Sequence, residues 1–122
     1  MKLTDETQRG TNFIRAYEAG EIRVGERAIR SNCIVTADQI LDWTPESVEA
    51  MTIDDIEPVL QLAPEIVILG TGALQRFPDP SLMGAILSRG IGCEVMTTSA
   101  ACRTYNVLVG EDRKVAAVLL LK

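Results

Sequence analysis

Four consecutive apolar residues, Ile66-Val67-Ile68-Leu69, closed by Gly70-Thr71-Gly72, constrain the fold more than any other part of this sequence. A strand with one wet face alternates polar and apolar residues. This run offers no face to water, so it must be covered on both sides, as strands of parallel sheets flanked by helices are. Residues 115–121, Val-Ala-Ala-Val-Leu-Leu-Leu, repeat the signature.

Around these runs the rhythm is helical. Ile56, Val59, Leu60 and Ala63 recur at helical spacing behind Asp54-Asp55, which can cap the helix and suit its dipole. Pro58 is tolerable there only in the first turn, and Pro64 ends the element. After a long loop holding Phe77-Pro78, Asp79-Pro80 reads as an N-cap followed by proline at the first helical position. Leu82, Met83, Ile86 and Leu87 form the inward stripe of that helix, and Gly90 stops it. A strand over residues 91–96 and a helix over residues 99–109, with Gly110 as its stop, precede the last strand. The order α-β-α-β-α-β with right-handed crossovers predicts an at least partly parallel sheet with helices on its faces.

The earlier part of the chain has a different grammar. Short β-type runs over residues 12–17, 21–24 and 28–35, broken at Ala19-Gly20 and Gly25-Glu26, predict an antiparallel meander. Residues 38–51 read as an irregular connection in which Trp43 is a packing anchor. No repeat, low-complexity tract or flexible linker divides the 122 residues. The expectation is a single α/β domain of three layers: a mixed, mostly parallel central sheet with helices on its faces, plus an N-terminal antiparallel β meander.

Composition narrows function mainly by exclusion. A net charge of −5, with no cluster of Lys and Arg, argues against nucleic acid and anionic membrane as partners, while leaving room for one small anion. The three cysteines, Cys33, Cys93 and Cys102, make no C-x-x-C pair, and without any histidine no zinc site is expected. They fit a reducing, cytoplasmic setting. The first ten residues have no apolar core of signal-peptide type, and nothing approaches the ~20 apolar residues of a membrane span.

In open α/β sheets, ligands bind beyond the carboxyl ends of the parallel strands. Two loops lie there in this sequence: Gly70-Thr71-Gly72, and Thr97-Thr98-Ser99 at the start of a helix. Their glycines and helix-start N–H groups, with Arg103, suggest a small-anion pocket of Gly70, Thr71, Gly72, Glu94, Thr98, Ser99 and Arg103, the alternative being a plain turn built from small residues. Glu94, inside a strand expected between helix layers, reads as a buried carboxylate needing a partner, with Arg103 and Arg113 as candidates. Such a pair either pins the structure or supplies an acid or base. Tyr105 is expected to pack inward with its hydroxyl satisfied. Cys102, in the first turn beside Arg103, reads either as an inert buried thiol or as an activated one. With no histidine, and no carboxylate pair at catalytic spacing, hydrolase chemistry of the usual kinds loses ground.

The runs Glu65-Ile66-Val67-Ile68-Leu69-Gly70-Thr71-Gly72, Glu94-Val95-Met96-Thr97-Thr98, Ala100-Ala101-Cys102-Arg103-Thr104-Tyr105-Asn106 and Glu111-Asp112-Arg113 resemble the Mth-nine-three-eight-like domain family, and the similarity extends from about Phe13 to Leu121. The resemblance implies a three-layer α/β fold with a mixed central sheet. It implies no catalytic residues and no cofactor. Because members include a mitochondrial complex I assembly factor, it implies a role exercised through protein partners. With no Arg-rich, Ser-rich presequence, a bacterial, cytoplasmic member is expected. The leading expectation is a non-catalytic binding or assembly protein with a possible anion pocket. The alternatives are an enzyme acting on a small carboxylate or phosphate through Glu94 or Cys102, and a structural domain held by a Glu94–Arg103 pair.

Overall fold

Strands β6 (Ile66–Gly70) and β8 (Val115–Leu119) lie side by side and parallel, with Ile66 opposite Val115 and Gly70 opposite Leu119. These are the two wholly apolar runs, and each is buried nearly throughout. The computed structural model of the chain describes residues 10–121. The reading of the N-terminal decapeptide therefore lies, up to residue 9, outside the described residues.

Alternation along β8 divides two cores. Val115, Ala117 and Leu119 face one side, and Ala116 and Val118 the other. On the second side lie helices α1 (Ile53–Gln61) and α2 (Pro80–Leu87), through Ile56, Val59, Leu60, Leu82 and Ile86, with Trp43 as the expected anchor. On the first lies α3 (Thr98–Gly110), through Ala101, Cys102, Tyr105 and Val109. The meander β1 (Ile14–Glu18), β2 (Glu21–Val24) and β3 (Arg27–Ile29) packs on the same side as a separate antiparallel sheet. This is the expected three-layer α/β fold.

The third β run splits in two. Residues 27–29 complete the meander, whereas β4 (Cys33–Val35) crosses to the central sheet and pairs antiparallel with β8. A further strand, β5 (Ile40–Asp42), sits in the stretch read as irregular and pairs antiparallel with β4. The central order is β5-β4-β8-β6-β7, where β7 is Gly92–Met96. The sheet is mixed, and its ladders divide evenly: β6 is parallel to β7 and β8, and β4 is antiparallel to β5 and β8. β5 escaped sequence reading because three residues carry too little periodicity to register.

Helix ends follow local chemistry with three corrections. Thr52, not Asp54, caps α1, in a reciprocal capping box with Asp55. Pro58 consequently falls in the second turn, inside the helix. The third correction is Gly110, which lies within α3 and has no positive φ; the left-handed residue after the helix is Asp112, at φ 63°. Asp79 does cap α2, with Pro80 at its first position.

Side chains from α3 hold the meander. The Asn106 amide nitrogen donates to the Ile14 carbonyl at 2.8 Å, and its oxygen accepts the Ile14 N–H at 2.9 Å, so this amide stands in for a neighbouring strand. The Tyr105 hydroxyl, fully buried as expected, donates to the Asn12 carbonyl at 2.7 Å. Buried Asn32 plays the same part at the other end, accepting from Leu121 N–H at 2.7 Å and donating to Pro45 at 3.1 Å.

Two glycine substitutions separate close packing from helix propensity. A Cβ at Gly70 would meet the Ala101 Cβ and Thr98 Cα at 3.0 Å each and the Leu119 Cδ2 at 3.1 Å, so Gly70→Ala should lower unfolding free energy by about 1–3 kcal/mol. A Cβ at Gly110 meets only Phe13, at an ordinary 3.8 Å. Gly110→Ala should raise stability by about 0.5–1 kcal/mol, since alanine replaces glycine inside a helix. Urea titration of both variants distinguishes these outcomes.

Candidate functional site

The chain leaves β6 toward α2 on one face of the sheet and leaves β7 toward α3 on the other. Adjacent parallel strands with connections diverging in this way form a topological switch point, where α/β folds open a crevice for ligands. Gly70-Thr71-Gly72 and Thr97-Thr98-Ser99 meet there, as expected. Their polar groups, however, are turned on one another.

Gly72 N–H donates to the Thr98 hydroxyl at 2.7 Å, and that hydroxyl donates to the Leu120 carbonyl at 2.7 Å. Thr98 N–H donates to Gly72 O at 2.9 Å, and Thr71 N–H to Met96 O at 2.9 Å. The Thr71 hydroxyl donates to Leu74 O at 2.7 Å and accepts from Arg76 N–H at 3.1 Å. The Thr97 side chain caps α3 through Ala100 N–H. The Thr71, Gly72, Thr98 and Ala100 N–H groups are therefore already engaged, and Thr98 is fully buried. Gly70 serves close packing, because only a residue without Cβ admits the start of α3 so near the strand end. Beside Thr71 a recess of about 320 Å³ is walled by Glu46 and Glu49, with Arg76 bound to Glu49 at 3.3 Å. Its acidic walls oppose an anion. A second cleft, of about 510 Å³, lies at the opposite end of β8, beside Thr36, Asp38, Gln61 and Lys114.

Glu94 is exposed, not buried. Alternation correctly aims it at the α3 side of the sheet, opposite Ile68, but β7 is an edge strand among the described residues and Glu94 stays open to solvent. Strand type alone predicts burial at this position, and edge placement decides it instead. Arg103 is not its partner: exposed on α3, it donates to Ser99 Oγ at 2.9 Å, one turn back. Arg113 pairs with Glu65 at 2.6 Å, also at the surface. Exposed pairs of this kind contribute about 0–1 kcal/mol, so no buried Glu94–Arg103 pair holds the fold.

Burial disfavours the thiolate form of all three cysteines. Burial pushes Cys102 up to about 11, outweighing the lowering effect of Arg103, and pushes Cys33 up to about 12, with Cys102 and Asp42 adding to it. Cys93 is raised by burial and by Glu94. The Arg103 guanidinium thus loses to desolvation at Cys102, which packs in the core beneath α3. Among the described residues, no three His, Cys, Asp or Glu side chains converge to hold a metal.

What sequence reading missed is the rim of the switch point. Leu74 and Phe77, on the loop from β6 to α2, are 64% and 66% exposed, while Pro78 beside them is buried. Gln75 between them reaches the edge strand, its amide donating to Val95 O at 2.9 Å. The signal was present as two large apolar residues in a polar loop, but a loop has no periodicity that separates inward from outward.

The family profile described as a protein of unknown function (DUF498/DUF598) matches residues 14–120. The chain belongs to this family. The DUF498/DUF598 chain is 26% identical over 122 residues to a "13 kDa major membrane protein" of Francisella tularensis subsp. holarctica (strain LVS), covering 98% of this chain and 99% of that one. It is 30% identical over 110 residues to NADH dehydrogenase (ubiquinone) 1 alpha subcomplex assembly factor 3 of Xenopus tropicalis, covering 88% of this chain but only 60% of that protein. A Bordetella pertussis protein described as a Mth938-like domain, solved by NMR, superposes with a TM-score of 0.79 at 26% identity, over 90% of this chain and 85% of that one. The Mth-nine-three-eight-like resemblance read from the sequence is thereby established. No helix among the described residues of this DUF498/DUF598 member is long and apolar enough to cross a membrane.

Two measurements test this site. Thr98→Val keeps shape but leaves the Gly72 N–H and Leu120 carbonyl buried without a partner, each costing about 1–3 kcal/mol; a loss under 1 kcal/mol would contradict the assignment. The thiols predict alkaline lability. Their folded pKa values are raised, so the stability of their protonated state is fully present below the unfolded value of 9.0 and is lost as pH climbs through about 11. Urea midpoints should be flat from pH 7 to 9 and fall beyond, less steeply in Cys102→Ala.

Proposed function

We propose that this DUF498/DUF598 member is a partner-binding domain that acts in assembly by holding another protein, not by catalysing a reaction. One observation carries the reading. Two large apolar side chains, Leu74 and Phe77, stand about two-thirds exposed on a loop whose backbone is tied down at Thr71. Exposed aromatic and aliphatic residues grouped on a rigid loop are the usual anchors of protein interfaces.

The surrounding chemistry supports the same reading. The loop lies at the switch point where an enzyme of this architecture would open a crevice, yet the Thr71, Gly72 and Thr98 donors there are bonded internally and burial disfavours the Cys102 thiolate. The relatives named as assembly factors add weight, and this chain spans 60% of the Xenopus protein. A cytoplasmic setting belongs to the same proposal and is supported by the three free cysteines.

A photocrosslinking residue at position 77, compared with one at Val107, which is exposed on α3, tests the proposal in the native cell. Adducts to a defined protein are expected from position 77 and not from 107. The double variant Leu74→Ser, Phe77→Ser should abolish association with that protein while changing unfolding free energy by less than about 0.5 kcal/mol. Equal labelling from both positions would overturn the reading.

A further inference from the structure

We propose that the outer edge of β7 accepts an extended segment of a protein partner as a sixth strand of the central sheet, and that this segment alternates basic and apolar side chains. The inference rests on the partner-binding reading and specifies how the partner is held.

The backbone defines the acceptor. Gly92 N–H bonds to Glu65 O at 2.9 Å, and Met96 O accepts Thr71 N–H at 2.9 Å, with Glu94 in register opposite Ile68 between them. Along a parallel ladder the residues that face the neighbour alternate, so Gly92, Glu94 and Met96 turn both backbone groups to β6, and Cys93 and Val95 turn theirs outward. Among the described residues β7 has no strand on that side. Among the described residues the only bond made outward is the one from Gln75 Nε2 to Val95 O. A side-chain amide here occupies the place of a strand, which is one way proteins blunt an open edge. It leaves the N–H groups of Cys93 and Val95 and the Cys93 carbonyl available. The opposite edge, β5, is only 3 residues long against 5 for β7.

Side chains define the occupant. Cys93 and Val95 pack toward the α1/α2 side, where an added strand would set apolar residues beside them, next to the loop that Gln75 ties to Val95. Glu94 points to the other side, is exposed, and has no ion pair among the described residues. Cross-strand neighbours on its face would be stabilised by a cation. Period-2 alternation then makes the incoming segment basic on one face and apolar on the other. The net charge of −5 favours a basic partner over a second copy. An antiparallel pairing of two β7 strands about their central residue would also set Glu94 directly against its own copy, which is destabilising.

The experiment uses the full chain and a short capped peptide alternating valine and arginine, with a valine–glutamate peptide of equal length as control. NMR-detected hydrogen exchange should show Cys93 and Val95 amides protected by the basic peptide and untouched by the acidic one. Glu94→Lys should weaken the basic peptide about threefold to fivefold, the scale of one exposed cross-strand ion pair, and favour the acidic one. Gln75→Ala should tighten binding, because the Val95 carbonyl is released. Several results would overturn strand addition: saturable binding without protection of these two amides, equal affinity for both peptides, or concentration-dependent dimerisation that protects them without peptide. If strand addition fails while the Leu74→Ser, Phe77→Ser variant still loses its crosslinked protein, the loop is the docking site and the edge is not. If that variant also keeps its association, the partner-binding reading falls with it.

Discussion

The approach of α3 to the end of β6 is the contact on which the rest of the structure depends. A helix axis ordinarily stands well clear of a sheet. Here the first turn of α3 comes down on Gly70, where a single methyl group would already be too close to Thr98 and Ala101. That approach brings the Thr98 hydroxyl between Gly72 N–H and the Leu120 carbonyl, tying the ends of β6 and β8 to the helix start. It also sets the height of Tyr105 and Asn106 above the sheet, and these two side chains hold Asn12 and Ile14, and so the meander.

The same contact accounts for the functional character of the switch point. In related architectures, loops that diverge from adjacent parallel strands leave backbone donors facing solvent. Here Thr71, Gly72 and Thr98 donate to one another's neighbourhoods instead, and these three residues form a structural joint. A rigid joint has its own use. It fixes the following loop so that Leu74, Gln75 and Phe77 are presented from a firm base beside an edge strand. Rigid presentation lowers the ordering entropy a partner must overcome.

Legibility in the sequence tracked the range of the interaction. The doubly apolar runs, the Asp79-Pro80 helix start and the inward turn of Tyr105 follow from local pattern, and all three stand in the structure. Glu94 shows where local pattern ends. Its face of the strand followed from alternation, but its exposure depended on β7 being at an edge, a property of strand order. Cys102 shows the same limit in energy: the Arg103 guanidinium is readable from the neighbouring residue, whereas the desolvation that outweighs it comes from a packed core.

What this sequence determined by itself is the class of fold, because two runs with no polar residue can exist in water only between two covering layers. It also marked its family through the residues that build the joint, Gly70 to Gly72 and Thr97 to Asn106. The tertiary structure alone decided what those residues do. Hydrogen-bond donors that look free along the chain find acceptors dozens of positions away, as Thr98 finds Leu120 and Asn106 finds Ile14. Spatial neighbours of that kind leave no periodic trace in sequence, because the chain brings them together only after the sheet order is set.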